Sequence, residues 1–498
     1  MPENALPKLR WYQGLTRYHW WVLFVAVLSW TFDCMDQRIF VLSRAPAVKE
    51  LIRWEERRGP LEAALAPEIR AEVERDAAAG MVGAGDAAAE TGRRLESRLA
   101  AVYAKQCDQF GDVLTALMIL GWAVGGFFFG VYGDKWGRVK TLAIAISVYS
   151  VFTGLSGLAA GLADFSLYRF LMGCGIGGAF ATAASLVAET MPEHSRAFAL
   201  GLFQALSAVG NLTGSAIARF LVSPEVPTTL WGLLGGEGVS GWRVLFMIGV
   251  LPAMLVVLIF RTVKEPDAWH AARKTAAENL DRQLGDIKGL FTTPRWRRNT
   301  LVGLSLALVG VIGLWGVGFY TPELIDSALG ELPREELGNI KSMGMLLQDV
   351  GAFFGMLAFT WIATRMGRRL AFGGAFVCCW VVVSAVFLFL DERWHAYAML
   401  PFLGFVTLSL FGGYSIYFPE IYPTRLRSTG TGFCYNVGRV VAALFILFKI
   451  PIRNLFDGMG FEQPFRSVSL VLALVYLAGL IVLFWAPETK GRPLPTDD

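Results

Sequence analysis

Apolar residues along this chain come in long runs separated by short polar or charged turns. Twelve runs can be placed, at 20–42, 109–132, 140–160, 165–190, 196–221, 242–262, 299–320, 341–363, 369–390, 396–418, 428–449 and 466–486. Each is near the ~20 residues that a helix needs to cross a bilayer. The pattern predicts an all-α membrane protein of twelve transmembrane helices. A β-barrel is excluded, because barrel strands are short and alternate in polarity. Two longer polar segments interrupt the series. Residues 44–107 are rich in Ala, Glu and Arg and predict two surface helices broken at Gly80–Gly85. Residues 263–298 are charged and helix-prone, and predict a connector at the membrane surface.

The chain also reads twice. Gly121, Gly125 and Gly137-Arg138 recur about 230 positions later as Gly351, Gly355 and Gly367-Arg368. Glu189, Pro192 and Arg196 recur as Glu420, Pro423 and Arg427, an E-x-x-P-x-x-x-R pattern in both halves. Two echoes at nearly one offset indicate a duplicated unit. The expected organisation is an N-terminal six-helix bundle at 1–262 containing the outer loop 44–107, a linker at 263–298, and a C-terminal six-helix bundle at 299–498. In a chain this hydrophobic, duplicated helical units point to a transporter with its substrate site between the halves.

Composition sharpens this. Of 498 residues 54% are hydrophobic and 17% charged, with a mean hydropathy of +0.48; soluble domains carry about 25% charged residues. Basic residues gather in the turns expected on one side: Lys8, Arg10 and Arg17, then Lys135, Arg138 and Lys140, then Arg365, Arg368 and Arg369, then Arg425 and Arg427, then Lys490 and Arg492. Excess Lys and Arg marks the cytoplasm, so both termini are expected there. The first apolar run lacks a cleavable-signal pattern, which predicts an uncut first span in a bacterial inner membrane. The net charge of +4 implies no nucleic-acid partner. The six Cys form no disulfide framework and suit packing. No metal site, cofactor or ATP-binding loop is indicated, and no nucleophile constellation points to an enzyme. One chain supplies a complete two-bundle unit, so a functional monomer is expected.

Several motifs then resemble those of the major facilitator superfamily. Gly130-Val-Tyr-Gly-Asp134-Lys135-Trp-Gly137-Arg138 is similar to its 2–3 loop signature, with Val139 as the departure before Lys140. Arg169-Phe-Leu-Met-Gly173-Cys-Gly175-Ile-Gly177-Gly178 resembles its span 4 stretch, and PETKGR at 487–492 its sugar-porter-like branch. Gln204, eight residues after Arg196, also resembles that branch. Other marks of a hexose site are missing from spans 7, 10 and 11. FDCMD at 32–36 is similar to the F-D-G-x-D of proton-coupled metabolite symporters, with Cys34 in place of Gly. The resemblance implies a metabolite:H+ symporter with an organic anion as cargo. A sugar or polyol porter and a transporter-like metabolite sensor are the alternatives. It also implies that Gly130, Asp134, Gly137, Arg138, Glu189, Arg196, Glu420 and Arg427 are conformational machinery, with Glu189–Arg196 and Glu420–Arg427 as ion pairs at the cytoplasmic side.

Charges inside a span are costly and usually functional. Asp33 and Asp36 are three apart and share one helical face. Two such carboxylates in a low dielectric resist ionising together, which suits one of them to carrying a proton; a structural ion pair with Arg38 or Arg169 is the alternative. Arg169, near the outer end of span 4, is placed to reach this pair. Arg439 falls near the middle of span 11 and needs an anion. Either a substrate carboxylate or Asp349 of span 8 would serve, the former held bidentately. Gln204, Asn211, Trp315, Tyr320, Tyr414, Tyr417, Tyr435 and Asn436 are candidates for the cavity wall.

Overall fold

The computed structural model describes residues 10–79, 81, 83, 86–222, 240–279, 282–317, 321–330, 332–458 and 464–496. Among them the regular structure is helical and no strand occurs. The spanning elements are α1 (Arg17–Leu51), α2 (Ala87–Trp136), α3 (Arg138–Gly157), α4 (Leu162–Thr190), α5 (Glu193–Ala205, continued by Ser207–Val222) and α6 (Gly241–Ile248, continued by Ala253–Thr262). They are followed by α7 (Pro294–Val317), α8 (Arg334–Met366), α9 (Arg368–Phe389), α10 (Arg393–Glu420), α11 (Arg427–Gly458) and α12 (Pro464–Ala473, continued by Val475–Val482). Among the described residues, nine helices are long and apolar enough to cross a membrane. Those outside that count are α1 and α11, which carry charge within the span, and the broken α12. The break in α6 falls at Gly249–Pro252, where Pro252 has no N–H to continue the helix ladder.

Packing follows the sequence duplication. In the first half α4 packs on α2 and α3, α1 on α5, and α6 on α3. In the second half α10 packs on α8 and α9, and α7 on α11 and α12. The halves meet along α2 with α11, α4 with α11, and α5 with α8 and α10.

The segment expected as two surface helices is different in one respect. Its first helix is Trp54–Ala78, but its second is the beginning of α2, a single helix of 50 residues. At ~1.5 Å per residue α2 is about 75 Å long, more than twice a bilayer core. The hydrophobicity minimum at 87–108 marks a change of solvent rather than a break, since Ala, Glu and Arg there are strong helix formers. Ile69 and Val73 of the first helix and Leu99 of α2 are buried, and Arg94 joins Asp76 at 2.6 Å and Glu90 at 2.8 Å. This end of the molecule is the hairpin face; the opposite end, with the turns between α2 and α3 and between α8 and α9, is the signature face.

Both signature-face turns depend on glycine. Gly137 has φ +111° and Gly367 φ +104°, a region that L side chains rarely adopt. A glutamate caps the helix after each. Glu265 accepts from the backbone N–H groups of Arg138, Val139 and Lys140 at 2.7, 3.0 and 3.2 Å. Glu488 accepts from those of Arg368 and Arg369 at 2.9 and 3.1 Å. An acidic group on the unpaired donors of a helix N-terminus is favourable. The linker also forms a helix, Asp267–Glu278, anchored where Trp269 Nε1 donates to Asp134 O at 2.6 Å.

Candidate functional site

α11 carries Arg439 into the interior, where it is 2% exposed. Its Nη1 donates to Tyr435 O at 2.6 Å and to Asn436 Oδ1 at 3.2 Å. Asn436 is itself anchored through Nδ2 to Gly432 O at 2.8 Å. It lies against Gly126 of α2, where a Cβ would come 2.0 Å from its amide nitrogen. The guanidinium sits 3.8 Å over the Trp122 ring and 4.4 Å from the Tyr435 ring. One nitrogen is thus tied to its own helix and both rings flank the cation, while the Nε–H is buried without a partner. Leaving a buried donor unmade costs about 1–3 kcal/mol, so the site presents an unmet demand for an acceptor.

Asp33 of α1 belongs to the opposite half. It is fully buried, both carboxylate oxygens lack a hydrogen-bond partner, and it lies within electrostatic reach of Asp36 and Arg439. No direct ion pair forms between Asp33 and Arg439. An aromatic wall lies nearby: Phe180 stacks on Tyr435 at 3.7 Å, and Trp30 lies 4.9 Å from Phe180 and 6.5 Å from Trp122. The indole N–H groups of Trp30 and Trp122 and the Gln204 Oε1 are buried and unpartnered. Sequence reasoning missed Trp30, Trp122 and Phe180. Their neighbours lie tens to hundreds of positions away, and no local spacing marks them.

Asp36 receives a hydrogen bond from Thr153 Oγ1 at 2.8 Å. The alternative reading, an ion pair of these carboxylates with Arg38 or Arg169, does not form. Arg169 instead donates to Ser156 Oγ from Nε at 2.9 Å and Nη2 at 2.5 Å, and lies 4.5 Å over the Phe246 ring. Arg38 pairs with Asp349 of α8, whose other oxygen accepts weakly from Asn211 Nδ2 at 3.5 Å. Asp349 is therefore not the partner of Arg439.

Two expected cavity residues turn into the second half's core. Tyr414 donates to Leu306 O at 2.6 Å and stacks on Phe418; Tyr417 donates to Pro487 O at 2.9 Å and packs on Phe372. With their hydroxyls spent on backbone carbonyls, they hold helices together. Tyr320 and the Trp315 side chain lie outside the described residues.

The signature-face ion pairs are wired differently from expectation. Glu189 pairs with Arg138 at 2.8 Å and, across the halves, with Arg427 at 2.7 Å. Arg196 instead donates to Ala188 O at 2.8 Å. Glu420 pairs with Arg368 at 2.7 Å, not Arg427. Each glutamate thus pairs with the arginine that opens the preceding helix of its own half, because that guanidinium enters the bundle beside it. Asp134 also crosses between halves, accepting from the backbone N–H of Ser428 at 3.1 Å and of Thr429 at 2.8 Å. Gly130 lets α2 approach: a Cβ there would lie 2.9 Å from Ser428 O.

Twelve spanning elements in two similar halves, with buried charge facing across their junction, define the class of membrane carriers. The model of the Major Facilitator Superfamily matches residues 106–446, and the chain belongs to that family. Its curated relatives include a probable 4-methylmuconolactone transporter of Cupriavidus pinatubonensis, 27% identical over 76% of this chain and 82% of that protein. A cis,cis-muconate transport protein of Acinetobacter baylyi is 28% identical over 67% of this chain and 76% of its own length. Among solved structures, the proton:xylose symporter XylE superposes with a TM-score of 0.68 at 14% identity, covering 96% of this chain and 98% of that one. The family and these relatives are transporters, not enzymes.

Proposed function

We propose that this protein is a proton-coupled symporter that moves a small organic anion into the cell by alternating access. The observation that carries it is the buried Arg439 of one half, with Nε unpartnered, facing the buried and unpartnered Asp33 of the other. A substrate carboxylate would complete the guanidinium's hydrogen bonding. Its arrival would set an anion beside Asp33, so protonation of Asp33 would relieve the repulsion. That links cargo and proton at one place between the halves. The relatives that transport muconate and a muconolactone support an organic acid as cargo. By the excess of Lys and Arg in its turns, the signature face is assigned to the cytoplasm of an inner membrane.

The test uses purified protein in liposomes loaded with a pH-sensitive dye and challenged with nicotinate, cis,cis-muconate, sialate and neutral sugars. Internal acidification on adding one of the acids, beyond that of protein-free liposomes and lost in Asp33→Asn, is expected. Counterflow of a neutral sugar without acidification would overturn the proposal in favour of a sugar facilitator. A ligand that binds and never accumulates would overturn it in favour of a sensor.

A further inference from the structure

One face of α3 carries a ladder of hydroxyl groups with no part in the mechanism so far. Tyr149, Thr153 and Ser156 are spaced i, i+4 and i+7, so they line one side of the helix. All three are fully buried. They face α1 and α4 in matched register. Thr153 bonds Asp36. One turn farther toward the hairpin face, Ser156 receives two hydrogen bonds from Arg169. One turn the other way stands Tyr149, near Asp33. α1 and α3 both run from the signature face to the hairpin face, so Asp33 and Asp36 climb α1 in step with Tyr149 and Thr153 on α3.

Tyr149 is the rung without a partner. Its hydroxyl is buried and makes no hydrogen bond of ordinary length, and the polar groups around it are Asp33, Asp36, Cys34 and Ser150. Both Asp33 oxygens and Asp36 Oδ1 are equally unpartnered. A buried phenol normally finds a hydrogen-bond partner, and one left without costs about 1–3 kcal/mol. The backbone holds the residue in place: a Cβ on Gly175 of α4 would lie 2.5 Å from Tyr149 N, so α3 and α4 touch at this level.

We infer that the Tyr149 hydroxyl is a proton relay between Asp36 and Asp33. The protonated Asp36 carboxyl gives its proton to the phenol oxygen while the phenol O–H passes its own proton to an Asp33 oxygen. One O–H bond breaks and one forms at each step, Tyr149 ends neutral, Asp36 ends as carboxylate and Asp33 ends protonated. Thr153 positions Asp36 for the transfer. The charges that bear on the path are Arg169 beside Asp36 and Arg439 beside Asp33. The relay rests on the proton-coupled reading above and adds a residue and a direction to it.

Tyr149→Phe keeps the ring and removes only the hydroxyl. The experiment compares wild type and Tyr149→Phe in the dye-loaded liposomes with the same acids, reading acidification rate across external pH 5.5–8 alongside counterflow of labelled acid, which needs no net proton movement. The expected result is acidification slowed about tenfold or more, with a displaced pH profile, while counterflow stays within twofold of wild type. Equal acidification by both proteins would overturn the relay. So would parallel loss of acidification and counterflow, which marks a packing role. Thr153→Val is the second variant; with Asp36 less well held it is expected to slow acidification less than Tyr149→Phe, and a larger effect than Tyr149→Phe would place the transfer elsewhere. Absence of acidification in the wild type with every acid would instead overturn the proton-coupled reading itself, and the relay with it.

Discussion

At the scale of single residues, the guanidinium of Arg439 is held at one nitrogen and across its plane while another nitrogen stays unpartnered. Nη1 is fixed by Tyr435 O and Asn436, the plane rests on Trp122, and Nε is left to a ligand. A lysine cannot reproduce this, because an ammonium is a point charge without a planar fork. A hydrogen bond to a charged group contributes about 1.5–3 kcal/mol, so Arg439→Lys should weaken organic-acid binding about 10- to 100-fold. Equilibrium binding to detergent-solubilised protein measures this, and an unchanged Kd would remove Arg439 from the site. The charged positions were legible in sequence, since an arginine or aspartate within an apolar run stands out. The aromatic ones were not. Tyr414 and Tyr417 share a face, as their spacing says, but that face meets Phe372 on α9. Only the packing of separate helices decides between cavity and core. Trp122 and Tyr149 escaped for the same reason: each owes its place to α11 or α1, far away in the chain.

At the scale of elements, the duplication extends further than the motif shows. Gly137 with Glu265 and Gly367 with Glu488 are the same device, a left-handed turn followed by a helix capped from a distant acid. The glycines were legible as turn residues, but Glu265 and Glu488 reach back across more than 100 positions, which no local pattern encodes. The acid–base pattern misleads in the same way: Glu and Arg seven apart invite each other in sequence, yet a chain reversal at Pro192 and Pro423 hands each glutamate to another helix. Half-burial pushes the Glu488 carboxyl up, but backbone N–H donors from Arg368, Lys490 and Arg369 outweigh it and hold it below its ordinary range. A depressed value means that the stability it contributes is full above the unfolded carboxylate value, about 4.3, and is lost as pH falls through the lower, folded one. Glu488→Gln should therefore cost about 0.3–1 kcal/mol at pH 7, the usual worth of a charge at a helix end. Thermal unfolding in detergent at pH 7 and below pH 4 checks it: the midpoint gap to wild type should close in acid, and a gap that stays constant would assign the loss to packing instead of charge.

At the scale of the whole molecule, the two halves are tied at both ends, and unequally. The signature face has the Glu189–Arg427 pair, the Asp134 cap on Ser428 and Thr429, and Arg138 donating to Thr424 O at 2.6 Å. Toward the hairpin face the Arg38–Asp349 pair is the corresponding charged tie. Glu189 is the keystone of the larger set, since it faces Arg138 and Arg427 at once and all three side chains are fully buried. Removing one member of such a group leaves uncompensated buried charge, which costs about 3–5 kcal/mol. Every 1.4 kcal/mol shifts a two-state equilibrium about tenfold, so even part of that loss is enough to repopulate a bistable carrier. Glu189→Gln should therefore part the halves at the signature face, because separation lets water reach both arginines. Spin labels at Trp136 and Met366, which are exposed at the ends of α2 and α8 on that face, would report the change on a cysteine-free background. The distance distribution should gain a longer component in Glu189→Gln, whereas Asp349→Asn should not lengthen it, because that residue ties the other end. Identical distributions in Glu189→Gln and the parent would mean that the buried cluster serves folding and that the switch between access states lies elsewhere.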